Sequence, residues 1–116
     1  MSTRSVGASY ESTACEFLER KGYKILERNY RVKIGEIDII ASDGETLVFV
    51  EVKYRKSDAQ GGAEHAISRG KQRTIARVAQ WYMAEKDINI NRTYCRFDAV
   101  LIDADEITHI ENAWRV

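Results

Sequence analysis

The ten residues TLVFVEVKYR, at 46–55, constrain the fold more than any other stretch. Side chains alternate between the two faces of a strand. Val48, Val50 and Val52 fill one face here, and Leu47 and Phe49 begin the other. A strand apolar on both faces must be covered on both sides, which places it centrally in a sheet. Yet the same stretch carries Glu51 and Lys53, and GEIDIIA at 35–41, just before it, carries Glu36 and Asp38. Charges inside the most apolar part of a chain are costly unless they are paired or bind a cation.

The rest of the chain supplies the covers. Val6, Tyr10, Ala14, Phe17 and Leu18 recur at helical spacing, which predicts a helix over 4–21 that Gly22 stops. Glu11 lies beside this stripe and is expected to look toward the core edge. YKILERNYRV at 23–32 reads as a first strand, with Asn29 marking a bulge or bend. Asp43-Gly44 signals a tight turn before the central strand. A polar loop is expected over 57–62 and a helix over 63–85, with Ile67, Lys71, Ile75, Val78 and Tyr82 in one column. YCRFDAVLID at 94–103 completes a β-α-β unit, for which parallel strands are expected. EITHIENAW reads as a final edge strand, with Trp114 closing the core. The order is helix-strand-strand-strand-helix-strand(-strand), an α/β domain over residues 1–116 built on a mixed central sheet.

At 116 residues one domain is expected. No run approaches the roughly 18 apolar residues of a membrane span, and the N-terminus has no apolar signal core. A cytoplasmic protein without membrane contact is therefore expected. Cys15 and Cys95 have no metal-type spacing and read as free thiols. The formal net charge is zero, but basic residues crowd the middle: Lys53, Arg55, Lys56, Arg69, Lys71, Arg73 and Arg77. From Arg55 onward they suit a phosphate-binding face, although the same residues could simply solvate one helix.

A two-residue loop at Asp43-Gly44 pairs Ser42 with Glu45, Ile40 with Leu47, Asp38 with Phe49 and Glu36 with Glu51. All four charges then share one side, and Asp38 and Glu51 become diagonal neighbours. Their carboxylates can reach one Mg²⁺ (or Mn²⁺) at about 2.1 Å. Glu36 opposite Glu51 is repulsive, so without a cation one carboxyl should have a raised pKa. Such a group suits phosphodiester hydrolysis. Lys53 would polarise the phosphate or orient water, Glu11 would join as a further metal ligand, and Lys71 would reach the phosphate. The competing reading is a set of salt bridges, Glu51 with Lys53 or Arg55 and Glu36 with Lys33. His65 and His109 are isolated and expected to be structural or solvated.

GEIDIIASDGETLVFVEVKYR resembles the signature of the YraN family of small bacterial proteins. The likeness extends to G-x-x-x-E at Gly7 to Glu11, GYKILERNYR, KQRTIARVAQWY, RFDAVLID and THIENAW. It covers nearly the whole chain. That family is similar to the PD-(D/E)XK nucleases, including archaeal Holliday-junction resolvases. The resemblance implies a restriction-endonuclease-like core and a Mg²⁺-dependent site, with Glu11 as the helix acid, Asp38 as the metal aspartate and Glu51 and Lys53 as E-x-K. Two positions depart from the pattern. Ile37, not proline, precedes Asp38, and Tyr10 stands where a small residue is expected, placed to crowd Glu11. The activity implied is metal-dependent hydrolysis of DNA, branched or single-stranded. The alternatives are a non-catalytic nucleic-acid-binding module with the same fold, or a protein-interaction domain whose acidic cluster is structural. A chain this small has little surface with which to surround a duplex, which leaves a homodimer open.

Overall fold

The computed structural model describes residues 3–55, 67–104 and 106–115. Lys56 and His65 lie outside the described residues, as does the side chain of Arg55. The elements are α1 (Thr3–Arg20), β1 (Lys24–Val32), β2 (Gly35–Asp43), β3 (Thr46–Arg55), α2 (Arg69–Glu85), β4 (Tyr94–Asp103) and β5 (Glu106–Ile110). They form one mixed sheet in the order β1-β2-β3-β4-β5. β3 and β4 run parallel, and the other neighbours are antiparallel. The both-faces-apolar strand is thus the middle one, and the two helices cover its two sides.

Each face has its own core. On one side Ile40, Leu47, Phe49 and Leu101 of the sheet pack with Ile75, Val78 and Tyr82 of α2. On the other, Ile39, Val48, Val50 and Val100 pack with Ala14, Cys15 and Leu18 of α1. Phe49, Val48 and Val50 are fully buried, each side chain contributing about 1.5–3 kcal/mol of burial free energy. Trp114 completes the α2-side core by stacking on Phe97, with ring centroids 5.4 Å apart. Among the described residues no helix is long and apolar enough to cross a membrane.

Three expectations change. First, the β2–β3 turn is displaced. Asp43 pairs with Thr46, Ser42 with Leu47 and Ile40 with Phe49, so Gly44-Glu45 is the loop. Gly44 sits at φ +61, as a hairpin loop with glycine first requires. Asp43 stays in the strand, where its Oδ2 lies 3.3 Å from Arg96 Nη1 on β4. The register therefore moves by two residues, which preserves the faces but changes the partners. Second, α2 begins at Arg69; residues 63–66 of the predicted helix lie outside the described residues. Ser68 caps it, its side chain accepting the Lys71 N–H at 3.1 Å. Ile67 is buried just ahead of the helix, and Lys71 is exposed rather than part of the buried column.

Third, β2 does not alternate regularly. Ile37 packs with Ile40 on the α2 side, whereas Ile39 and Ala41 pack on the α1 side. Gly35 shares the α2 side with Ile37, since a Cβ there would lie 2.6 Å from Thr74 Cγ2. The strand thus changes face at Asp38. Across from it in β1, between the pairs Arg28–Ile39 and Tyr30–Ile37, Asn29 adopts φ +53. The bend expected at Asn29 is therefore real. A separate register shift falls between Ile25 and Glu27.

Candidate metal and phosphate site

The change of face at Asp38 is what creates the site. The β2–β3 ladder ends at Ile39–Val50. In its register the next residues, Asp38 and Glu51, would stand directly opposite each other rather than on a diagonal. The ladder does not continue there. Instead the Val52 N–H donates to Asp38 Oδ2 at 2.8 Å. The aspartate side chain takes the place of a backbone acceptor in the gap, and that bond fixes its orientation.

Glu51 is the buried member of the pair, only 9% exposed. Its Oε2 lies 3.5 Å from Lys71 Nζ. Its Oε1 is buried and receives no hydrogen bond among the described residues, while Asp38 is the side chain with which the Glu51 carboxyl can share its proton. Burial first, and the Asp38 charge second, push the Glu51 carboxyl up to about 8, although the Lys71 ammonium pulls the other way. Glu11 on α1 is raised as well, by burial and then by the Asp38 charge, against the opposing influence of Asn29 and Arg28. Asp38 is therefore the electrostatic centre of three carboxyls contributed by α1, β2 and β3.

The other expected members are distributed differently. Glu36 does not stand opposite Glu51. It accepts from Arg31 at 2.9 Å on the neighbouring strand, because the change of face removes it from the Glu51 side. Glu36 thus pairs with Arg31 and not Lys33, and Glu51 meets Lys71 and not Lys53. Lys53 is exposed and has no ion-pair partner among the described residues. Tyr10 lays its ring on Tyr54 of β3, with centroids 4.1 Å apart, and so ties α1 to β3 beside Glu11. Arg69, Arg73 and Arg77 are exposed on α2.

Among the described residues, no three His, Cys, Asp or Glu side chains stand close enough together to hold a metal by themselves. Glu11 is thus a neighbour of the Asp38–Glu51 pair, not the third member of a closed ligand set. Two carboxylates still fit the preference of Mg²⁺, which usually keeps several waters and takes one or two protein carboxylates. Glu51 Oε1, which receives no hydrogen bond among the described residues, is the oxygen such an ion would satisfy.

A second buried charge cluster escaped the sequence reading. Asp98 on β4 is fully buried. It accepts from Arg96 Nε at 2.9 Å, from the Asn112 N–H at 3.0 Å and from His109 Nε2 at 2.7 Å. Lys21 Nζ is 2.7 Å from His109 Nδ1. An ammonium only donates, so Nδ1 accepts and Nε2 carries the proton toward Asp98. Burial alone would raise the Asp98 carboxyl, but the bonds from His109 and Arg96 hold it below its usual range. His109 is thus structural, as expected, but far from isolated. The available signal was R-x-D in an apolar strand, two opposite charges on one face.

Comparison with known proteins adds the following. The profile described as "Uncharacterised protein family UPF0102" matches residues 10–102. A UPF0102 protein of Vibrio campbellii is 44% identical over 115 residues, 97% of this chain and 93% of that protein. One from Serratia proteamaculans is 40% identical over 98% of this chain and 97% of its own length. One from Lachnoclostridium phytofermentans is 43% identical, over 98% and 96%. None of these names carries an activity.

Proposed function

We propose that this protein, which belongs to the UPF0102 (YraN) family, is a metal-dependent nuclease. In this reading it hydrolyses DNA phosphodiester bonds, branched or single-stranded DNA included, on a restriction-endonuclease-like core. The observation that carries the reading is the Asp38–Glu51 pair, placed where the β2–β3 ladder ends. A buried carboxyl pushed up to about 8 by burial and by a second carboxylate beside it, with one oxygen that receives no hydrogen bond among the described residues, is a poor structural device. An apolar residue of similar volume would be at least as stable there. Strongly perturbed carboxyls with a specific charged neighbour are characteristic of functional sites.

A divalent ion held by Asp38 and Glu51 would supply an acidified water and neutralise charge developing on the phosphate. The chain's own residues prepare for this. The Val52 N–H donates to Asp38 Oδ2, so Oδ1 would be the oxygen offered to an ion. To hold such an ion Glu51 would give up its proton, and Lys71, 3.5 Å away, would ease that ionisation. Lys53, two residues on in the same strand and exposed, is free to hold a phosphate oxygen. Glu11 adds negative charge beside Asp38, where it can orient a water.

Cleavage of a DNA panel that includes single-stranded, nicked and four-way branched substrates tests the proposal, with Mg²⁺ or Mn²⁺. Cutting is expected with metal, is abolished by EDTA, and is lost in Asp38→Ala and Lys53→Ala. If every substrate stays intact at enzyme excess with either metal, the protein is not a nuclease of this kind.

A further inference from the structure

On the flank of α2, a cavity of about 390 Å³ is lined by Arg69, Gln72, Arg73, Trp114 and Arg115. We infer that this cavity is a phosphate-binding pocket, built to hold a phosphate of a nucleic-acid strand away from the reacting bond. Only the choice of ligand source rests on the nuclease reading; the pocket's chemistry stands on its own.

Three arginines line one small space, and among the described residues no carboxylate side chain lines it. None of the three has an ion-pair partner among the described residues. Arg31 and Arg96, by contrast, are paired, the first with Glu36 and the second with Asp98 and Asp43. Like charges gathered without counter-charge repel, and an anion in the cavity would relieve them.

Of the five described lining side chains four only donate, and Gln72 adds one acceptor, its Oε1. Arginine and tryptophan side chains donate only. Gln72 has already committed its NH₂ to the Ile67 carbonyl, at 3.0 Å. Trp114, which walls the cavity, is 7% exposed, and its Nε1 is buried with no hydrogen-bond partner among the described residues. A ligand rich in acceptor oxygens answers the charges. Arginine forks suit phosphate in particular.

Position sets the path a strand would take. Arg69 and Arg73 flank Lys71 in sequence, one helical turn apart, while Lys71 reaches Glu51 from a different side of α2. The pocket and the Asp38–Glu51 pair therefore lie on different sides of α2, so one strand could touch both only by passing around the helix.

The test is an NMR titration of the full chain in EDTA, following the two indole N–H signals. The probes are inorganic phosphate, AMP, and a short oligothymidylate with and without a 5′-phosphate. Trp114→Phe assigns the signal, and Trp81 on α2 is the internal control. A saturable shift confined to Trp114 is expected, weakened at least tenfold in Arg69→Gln/Arg73→Gln, whose substitutions are on the surface and whose folding the amide spectrum reports. Strands that bind alike with or without the 5′-phosphate, and better than AMP, identify an internal backbone phosphate. A 5′-phosphate requirement identifies a strand end, and preference for AMP a free nucleotide. A Trp114 signal unmoved by all four probes, or one that moves equally in the double variant, overturns the pocket. Because no metal is present, absence of cleavage would sink the nuclease reading without touching this result.

Discussion

Replacing Glu51 by glutamine removes an ionisation that the fold resists. In the metal-free protein, burial and the Asp38 charge push this carboxyl from 4.5 to about 8. The unfolded chain releases the proton near the lower value and the folded chain near the higher one. Between the two, the folded state holds more protons, so stability falls as pH rises. Each unit of separation is worth about 1.4 kcal/mol, so the full penalty above pH 8 is on the order of 3–5 kcal/mol. That is a large fraction of the roughly 5–15 kcal/mol that holds a domain together. Glu51→Gln keeps the shape, still offers Lys71 an oxygen and cannot ionise. Urea unfolding in EDTA, followed by circular dichroism, reads the effect as a shift in midpoint at constant m. Variant and wild type should be nearly alike at about pH 5, and the variant more stable by a few kcal/mol at about pH 9. Other titrating groups are common to both proteins and cancel in the difference. A difference curve that stays flat across this range refutes the buried, Asp38-coupled Glu51.

Three further perturbations follow from the packing. Asp38→Ala leaves the Val52 N–H without its acceptor; a loss of about 1–3 kcal/mol is expected in urea unfolding, together with loss of any cleavage. Asp98→Asn disturbs a fully buried carboxylate held by Arg96, His109 and Asn112. It should cost about 3–5 kcal/mol without changing metal binding at the sheet end, as calorimetry would report. Gly35→Ala drives a methyl to 2.6 Å from Thr74 Cγ2. It should cost about 1–3 kcal/mol, much of it recovered when Thr74→Ser removes the opposing methyl.

The central strand was legible because its apolar content on both faces admits one kind of place. Together with the helical periodicity on either side of it, that strand gave the α/β class and the parallel β3–β4 pair. The hairpin register was less legible, because Asp43-Gly44 and Gly44-Glu45 are both acceptable loops for a glycine with positive φ. The contact that holds Asp43 in the strand comes from Arg96, 53 residues away, and no local pattern announces it. The change of face at Asp38 was equally hidden, since alternation is what a reader assumes along a strand. It left Glu36 with Arg31, whereas the two-residue shift in the hairpin register is what brings Asp38 and Glu51 level with each other. Glu11, Asp38 and Glu51 were readable as acids out of place, whereas the role of Lys71 depended on where Ser68 started α2. The Asp98–His109 cluster was missed because its members lie on separate elements, 11 residues apart.

The most direct measurement is a Mn²⁺ soak of crystals with anomalous diffraction at the manganese edge. The expected result is a single peak between the Asp38 and Glu51 carboxylates, within about 2.5 Å of an oxygen from each. It should vanish in Glu51→Gln. Metal bound elsewhere, or none at this pair with Glu51 Oε1 still unpartnered, would contradict a two-carboxylate metal site at the end of the β2–β3 ladder.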